Sequence, residues 1–276
     1  MKIDLSAINY KTFRIPKRRG GHREINAPDE ETAKMQYDIL YNFLYKFSAH
    51  PIAHGFIKNR SPLSNAKYHV GAKILVKLDI KDFFPSLTEA KVKRLFEYLL
   101  SLKKVSTKND IDDLVKMVTY KGHCPQGACT SPAIGNLILL GVDKKLQELQ
   151  HDFDCVITRY ADDIVCSSKT NMDLPKIIPV IKKLLELNGF KLNQKKIKVQ
   201  RQHKRMSVTG VVVNEKPNIS RTKRRNLRAQ LHNLEGKTIS KKEHQVLSGK
   251  VAWIKQLNPL HGEKLEKQLE GIQINT

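Results

Sequence analysis

Apolar positions recur along this chain with two periods, and the switches between them lay out the predicted elements. From Glu30 to Phe47, Ala33, Ile39, Leu40, Phe43, Leu44 and Phe47 return at helical spacing, which predicts an amphipathic helix on a core. The stretch from Lys73 to Ser86 reads as an apolar strand with Asp79 among its buried neighbours, and Ser86-x-x-Glu89 reads as a capping box where that strand gives way to a helix. The helix it opens would bury Val92, Leu95, Phe96, Leu99 and Leu100. Ser131 as N-cap and Pro132 at the first helical position predict a helix running to Leu149. Val156, Ile157 and Tyr160 precede Ala161-Asp162-Asp163, and Ile164, Val165 and Cys166 follow, so a hairpin with both aspartates at its tip is expected. Leu174 to Leu187 reads as a helix stopped by Asn188-Gly189, Phe190 to Gln200 as a basic strand or hairpin, and Ser207 to Val213 as a further strand.

Beyond Pro217 the pattern becomes wholly helical. Ser220 caps a helix with Leu227, Leu231 and Leu234 on one face and Arg221, Lys223, Arg224, Arg225 and Arg228 on the other. Ser240-x-x-Glu243 opens a second, with Val246, Leu247, Val251, Ile254 and Leu257 inward, and a third follows Pro259. A boundary is therefore expected near 215/216, with residues 1–215 forming one part and 216–276 a basic helical part. Charge sharpens that division. The 276 residues carry 50 Lys and Arg against 27 Asp and Glu, a net +23, and residues 191–276 alone hold 20 Lys and Arg against 6 Asp and Glu. Such an excess predicts a polyanionic partner. Met1 to Ser6 lacks the apolar core of a signal peptide, and no apolar run approaches the roughly 18 residues of a membrane span, which favours a nucleic acid in the cytoplasm over a membrane.

Candidate chemistry follows from charges placed where they are costly. Asp79 stands within an apolar strand, and a carboxylate there needs a metal or a cation beside it. Asp162 and Asp163 are adjacent like charges in an apolar frame, which either mark a solvated turn or, with Asp79, a divalent-metal site. Gly20-Gly21 predicts a tight turn flanked by Lys17, Arg18, Arg19 and Arg23, a basic hairpin able to close on phosphates or a merely solvated loop. Pro125-Gln126-Gly127 gives a small-residue loop before a helix, where backbone N–H groups suit a nucleotide. His123, Cys124 and Cys129 are irregularly spaced for zinc, and the four cysteines read as reduced thiols.

Taken in order, these stretches resemble a reverse transcriptase over nearly the whole chain, and within that family a bacterial retron reverse transcriptase. Asn65-Ala66-x-x-His69 and Val208-Thr209-Gly210 carry the narrower likeness. The resemblance implies an α+β right-hand polymerase fold with fingers, an antiparallel-sheet palm and a helical thumb. It implies two magnesium ions, with manganese able to substitute, on Asp79, Asp162, Asp163 and the Ile80 carbonyl, and Lys196 as general acid. Lys17, Arg23, Asp82, Phe83, Phe84, Gln126 and Gly127 would meet the deoxynucleoside triphosphate, Phe84 excluding a ribose 2′-hydroxyl. Asn65, His69, Val208, Thr209, Gly210, Arg221, Arg224, Arg225 and Arg228 would contact RNA or primer. The implied partners are a cognate structured noncoding RNA, its DNA product, branched from an internal guanosine 2′-hydroxyl, and a separate effector protein in anti-phage defence. A group II intron-like or other defence-associated polymerase, or a catalytically silent RNA-binding module, is the alternative.

Overall fold

The first strand pair is exposed along most of its length and anchored at its base, where Tyr10 and Asn26 are buried. In the computed structural model, which describes residues 8–17, 20–102 and 110–275, β1 (Tyr10–Pro16) pairs antiparallel with β2 (His22–Pro28). Gly20 and Gly21 turn the chain at φ +86° and +77°, as the Gly-Gly signal predicts. Arg18, Arg19 and Met1 to Ser6 lie outside the described residues. Helix α1 (Glu30–Asn42) is capped by Asp29 and ends five residues before the expected Phe47, giving way to a single 3-10 turn at Leu44–Lys46. After α2 (Pro62–Lys67) comes β3 (Ile74–Asp79), then a helical turn, α3 (Phe83–Ser86). That turn displaces the predicted capping box. The Ser86 hydroxyl donates back to the Phe83 carbonyl at 2.6 Å, and Thr88 becomes the N-cap of α4 (Glu89–Ser101).

Helix α5 (Ile111–Val118) leads to α6 (Ser131–Ile138) and α7 (Leu140–Asp152), two helices where one was expected, with Leu139 between them. Thr130 is the N-cap of α6, because the Ser131 hydroxyl is used to donate to the Pro125 carbonyl at 2.7 Å. The expected hairpin follows as β4 (Val156–Tyr160) and β5 (Asp163–Ser168). After α8 (Ile177–Leu187) comes the short β6 (Lys198–Arg201). The expected strand 207–213 is a tight hairpin, β7 (Ser207–Val208) and β8 (Val211–Val212). Thr209 and Gly210 both have positive φ, +47° and +85°, which bends the backbone sharply between them. The last part comprises α9 (Arg221–His232), β9 (Thr238–Ile239), α10 (Lys241–Leu257), α11 (Pro259–Glu270) and β10 (Gln273–Ile274) around Leu227, Leu231, Leu247, Val251 and Leu265. The Ser240–Glu243 capping box forms as predicted, whereas Val246 is 53% exposed and not inward.

The central sheet has the order β4-β5-β3-β6, all antiparallel. Side chains alternate across it. Ile74, Val76, Leu78, Ile157, Ile164 and Cys166 join the main core with α1 and α4 to α8. Leu75 and Val165 face the other way, into a second core made with Leu63 and Ala66 of α2, Val208 and Val211 of the small hairpin, and Leu257 of α10. Only the far half of this second face is covered. Asp79 and Asp163, at the near end, belong by the same alternation to this face beyond its apolar cover, where polar groups and not a core meet Asp79.

The second core corrects one expectation. Asn65 and His69 are 0% and 1% exposed, so neither side chain can reach RNA in this conformation. His69 instead ties α2 to the sheet, its Nδ1 2.7 Å from the Ser167 hydroxyl and its Nε2 2.7 Å from the Thr158 hydroxyl. Asn65 has no hydrogen-bond partner for its amide, and nothing in the structure explains it. Val208 is likewise buried, and the Thr209 hydroxyl donates to the Pro62 carbonyl at 2.8 Å, so the two short motifs dock on each other. Burial pushes the His69 imidazole from its ordinary 6.5 down to about 3, with the charge of His54 adding a smaller push. A depressed value means that the unfolded chain takes the proton first, so this contribution is complete above pH 6.5 and drains away as pH falls towards 3. His69→Ala should destabilise the fold by about 2–4 kcal/mol, through a cavity and two stranded hydroxyls. Urea unfolding at pH 7.5 checks this, and the parent-to-variant gap should shrink at pH 5; a loss under about 0.5 kcal/mol would remove the staple role.

Candidate active site

The near end of the sheet gathers three carboxylates by register alone. Asp79, last in β3, lies directly across from Asp163, first in β5, and the Ile80 N–H bonds the Asp162 carbonyl at 2.9 Å. Ala161 makes the turn with φ +57°, projecting Asp162 and Asp163 half-buried at the tip. Asp79 is only 5% exposed. It receives Lys196 Nζ at 2.7 Å on one carboxylate oxygen and Asn193 Nδ2 at 3.1 Å on the other, and its carbonyl accepts the Asn193 N–H at 2.8 Å. The predicted cation is therefore Lys196.

Electrostatics set the three acids apart. Burial first, then the charges of Asp163 and Asp79, push Asp162 up to about 6. Asp163 is also raised, by burial and by Asp79, against the opposing pull of Lys77 and Lys196. Burial pulls the Lys196 ammonium down, but its bond to Asp79 and the field of all three carboxylates outweigh that and hold it above the ordinary lysine value. Two neighbouring carboxyls both raised above the ordinary carboxylate range mark uncompensated negative charge. Among the described residues no three carboxylate, imidazole or thiolate groups close into a metal cage. The donor set still fits a hard dication, since such ions accept one or two protein carboxylates and complete their shell with water and substrate phosphates. An open acidic end suits that better than a closed cage.

The other nominated residues fall into separate groups. Asp82 has a left-handed backbone and an exposed side chain, Phe83 is buried, and Phe84 is half-buried against Phe83 and Phe56, with centroids 5.3 and 6.5 Å apart. The strand expected to run to Ser86 stops at Asp79, so Phe83 and Phe84 stand on a helical turn, the first buried and the second half-buried. Gln126 accepts the Asn26 N–H of β2 at 2.9 Å, and a Cβ on Gly127 would sit 2.7 Å from the Asn26 carbonyl, so this loop grips the base of the first hairpin. Lys17 and Arg23 stand exposed at that hairpin's tip end. Arg221, Arg224, Arg225 and Arg228 line a cleft of α9 and α11, apart from the carboxylates.

Sequence reasoning missed the brace behind the hairpin. Arg159, on the opposite face of β4, is fully buried and meets Asp143 of α7 with two bonds of 2.7 and 2.6 Å. Its Nη1 also donates to the Asn136 side chain and to the Ala161 carbonyl, both at 3.0 Å. Asn136 in turn donates to the Gly55 carbonyl at 3.0 Å, and a Cβ on Gly55 would lie 2.4 Å from the Ala161 N. The turn that aims the aspartates is thus held from behind. One signal was available: Arg159 in an apolar strand and Asp143 in an apolar helix each demand a partner.

Residues 15–213 match the family described as reverse transcriptase (RNA-dependent DNA polymerase). The chain belongs to the reverse transcriptase family. Its relatives place it in the retron branch: it is 35% identical to the Myxococcus xanthus retron Mx65 reverse transcriptase over 94% of this chain and 64% of that one. It is 34% identical to the Escherichia coli retron Ec86 reverse transcriptase, over 86% of this chain and 73% of that one. The chain spans 64% and 62% of the length of the Mx65 and Mx162 enzymes. The fold is similar to that of telomerase from Candida albicans, solved with a fragment of telomeric RNA, at TM-score 0.56 and 13% identity over 95% of this chain and 57% of that one. It is also similar to that of truncated Candida tropicalis telomerase, at TM-score 0.52 and 14% identity over 79% of this chain and 56% of that one. The fold is accordingly the right-hand polymerase fold, and enzymes of this family generally use divalent metal ions. Among the described residues no helix is long and apolar enough to cross a membrane.

The brace generates a direct test. Arg159→Met leaves Asp143 buried and unpaired and should cost about 3–5 kcal/mol in chemical denaturation. Adding Asp143→Leu should recover part of that stability without recovering the position of the turn. Equal stability of Arg159→Met and the parent would refute the brace.

Proposed function

We propose that the chain is the RNA-directed DNA polymerase of a retron, copying part of a cognate structured noncoding RNA into single-stranded DNA. Priming from an internal guanosine 2′-hydroxyl would make the product a branched RNA–DNA hybrid, and a separate effector protein would act with it in anti-phage defence. The observation that carries the polymerase reading is the pairing of Asp79 with Asp163 at the near end of the sheet. The names of the relatives support the retron part. A catalytically silent RNA-binding module would have no use for the uncompensated charge at that end.

In this reading residues 1–215 are fingers and palm and 216–276 the thumb. Asp79, Asp162, Asp163 and the Ile80 carbonyl would hold two magnesium ions, manganese being able to substitute, which neutralise charge on the attacking and leaving oxygens. Lys196, kept protonated by the acids around it, holds the proton that the leaving pyrophosphate needs. Lys17 and Arg23 grip the β- and γ-phosphates as the hairpin swings on its Gln126–Gly127 anchor. The backbone around Asp82 and Phe83 lines the triphosphate, and Phe84 fills the space a ribose 2′-hydroxyl would need. Arg221, Arg224, Arg225 and Arg228 neutralise nucleic-acid phosphates, a grip that depends on salt and not on sequence.

Asp162→Asn and Asp163→Asn should each abolish primer extension while circular dichroism is unchanged, because a carboxamide is a poor ligand of nearly the same shape. With magnesium below saturation, extension by the parent should also fall as pH drops through about 6, because a proton on Asp162 competes with the cation for the carboxylate. Activity within about tenfold of the parent in both variants would overturn the metal assignment.

Thr209→Val keeps the β-branched shape but removes the donor to Pro62. It should depress synthesis on the native structured RNA while sparing extension of a generic annealed primer. Equal losses on both templates at one salt concentration would reduce the hairpin to a general support.

A further inference from the structure

A second cationic site lies behind the loop that carries Lys196. Residues 189–195, Lys182 and Glu186 of α8, and Lys81 at the exit of β3 enclose an open cavity of about 880 Å³. Four lysines face it: Lys81, Lys182, Lys191 and Lys195. The single carboxylate in the lining, Glu186, is 3.8 Å from Lys182. Among the described residues no carboxylate pairs with Lys81, Lys191 or Lys195. Three ammonium groups around one concavity repel one another, and a small, multiply charged anion relieves that repulsion.

Position narrows the ligand. One wall of the cavity is the loop whose Asn193 and Lys196 hold Asp79, and the Lys81 N–H bonds the Lys191 carbonyl at 2.7 Å, tying that loop to the strand exit. The cavity and the acidic end therefore share a wall one loop thick. A volume of about 880 Å³ takes a diphosphate with water to spare. We propose that this cavity binds pyrophosphate, taking the product as it leaves the Lys196 side of the loop; the proposal rests on the polymerase reading. The lysines would then speed product departure and make free pyrophosphate an inhibitor that acts through this cavity.

The test compares the parent with Lys191→Gln/Lys195→Gln, using Lys144→Gln/Lys145→Gln on the outer face of α7 as a control of equal charge change. Inorganic pyrophosphate is titrated into the free protein by calorimetry, and its inhibition of single-nucleotide addition is measured on an annealed primer. The cavity variant should bind and be inhibited roughly tenfold more weakly, the size of one lost charge-assisted bond, with the nucleotide KM within about twofold. Lys191→Arg/Lys195→Arg should restore both. Equal weakening in the control, or a raised nucleotide KM with unchanged inhibition, would overturn the product site. A parent that adds no nucleotide would defeat the polymerase reading, and the calorimetric comparison would still judge the cavity alone.

Discussion

Three carboxylates crowded at the end of an apolar sheet are a standing electrostatic cost, and the molecule is arranged to hold them there. Asp79 is compensated by Lys196 and Asn193, which arrive from a loop more than a hundred residues later in the chain. Asp162 and Asp163 are not compensated to the same degree, and their raised values express it. Removing Asp162 or Asp163 would relieve repulsion in the metal-free protein, whereas removing Asp79 would strand Lys196 and Asn193. A raised carboxyl value means that the folded state holds its proton more tightly than the unfolded chain, so the Asp162 contribution is present below about 3.8 and lost as pH rises through about 6. Asp162 and Asp163 therefore work against stability at neutral pH, and a bound dication would reverse that sign.

Holding such a turn requires rigidity from behind. The Arg159–Asp143 pair is fully buried, and its bonds to Asn136 and the Ala161 carbonyl connect α6, α7, the 52–55 segment and the hairpin into one unit. The same sheet uses its opposite face differently. His69, the 207–212 hairpin and Leu257 of α10 meet on the far half, so the motifs that resemble the retron pattern sit between palm and last helical part as packing elements. In the proposed reading they would act on RNA through the placement of α2, the hairpin tip and the last helical part, and not by direct contact of Asn65 or His69.

Much of this was readable from residues. The strand, hairpin and helix patterns placed β3, β4, β5 and the basic helices, because alternation and capping are local signals. Asp79 announced a partner, since a carboxylate cannot stand within an apolar strand alone, but not which one: Lys196 stands among several lysines, and only the loop geometry selects it. Helix ends erred where side chains were recruited elsewhere, as with Ser86 and Ser131, whose hydroxyls donate to backbone carbonyls nearby. The resemblance assigns Asn65 and His69 to RNA contact and the stretch by itself reads only as a loop, whereas the strands that bury and bond His69 lie roughly a hundred residues away in sequence. The Arg159 brace was equally long-range.

The central claim is that the open end of the sheet is a templated polymerase site. The direct measurement is incorporation of deoxynucleotides by the purified chain on a primed homopolymeric RNA, with and without template and with and without magnesium. The account predicts addition of the complementary nucleotide only, dependent on both template and divalent cation. Addition without template, or none on a template that the folded chain demonstrably binds, would contradict it.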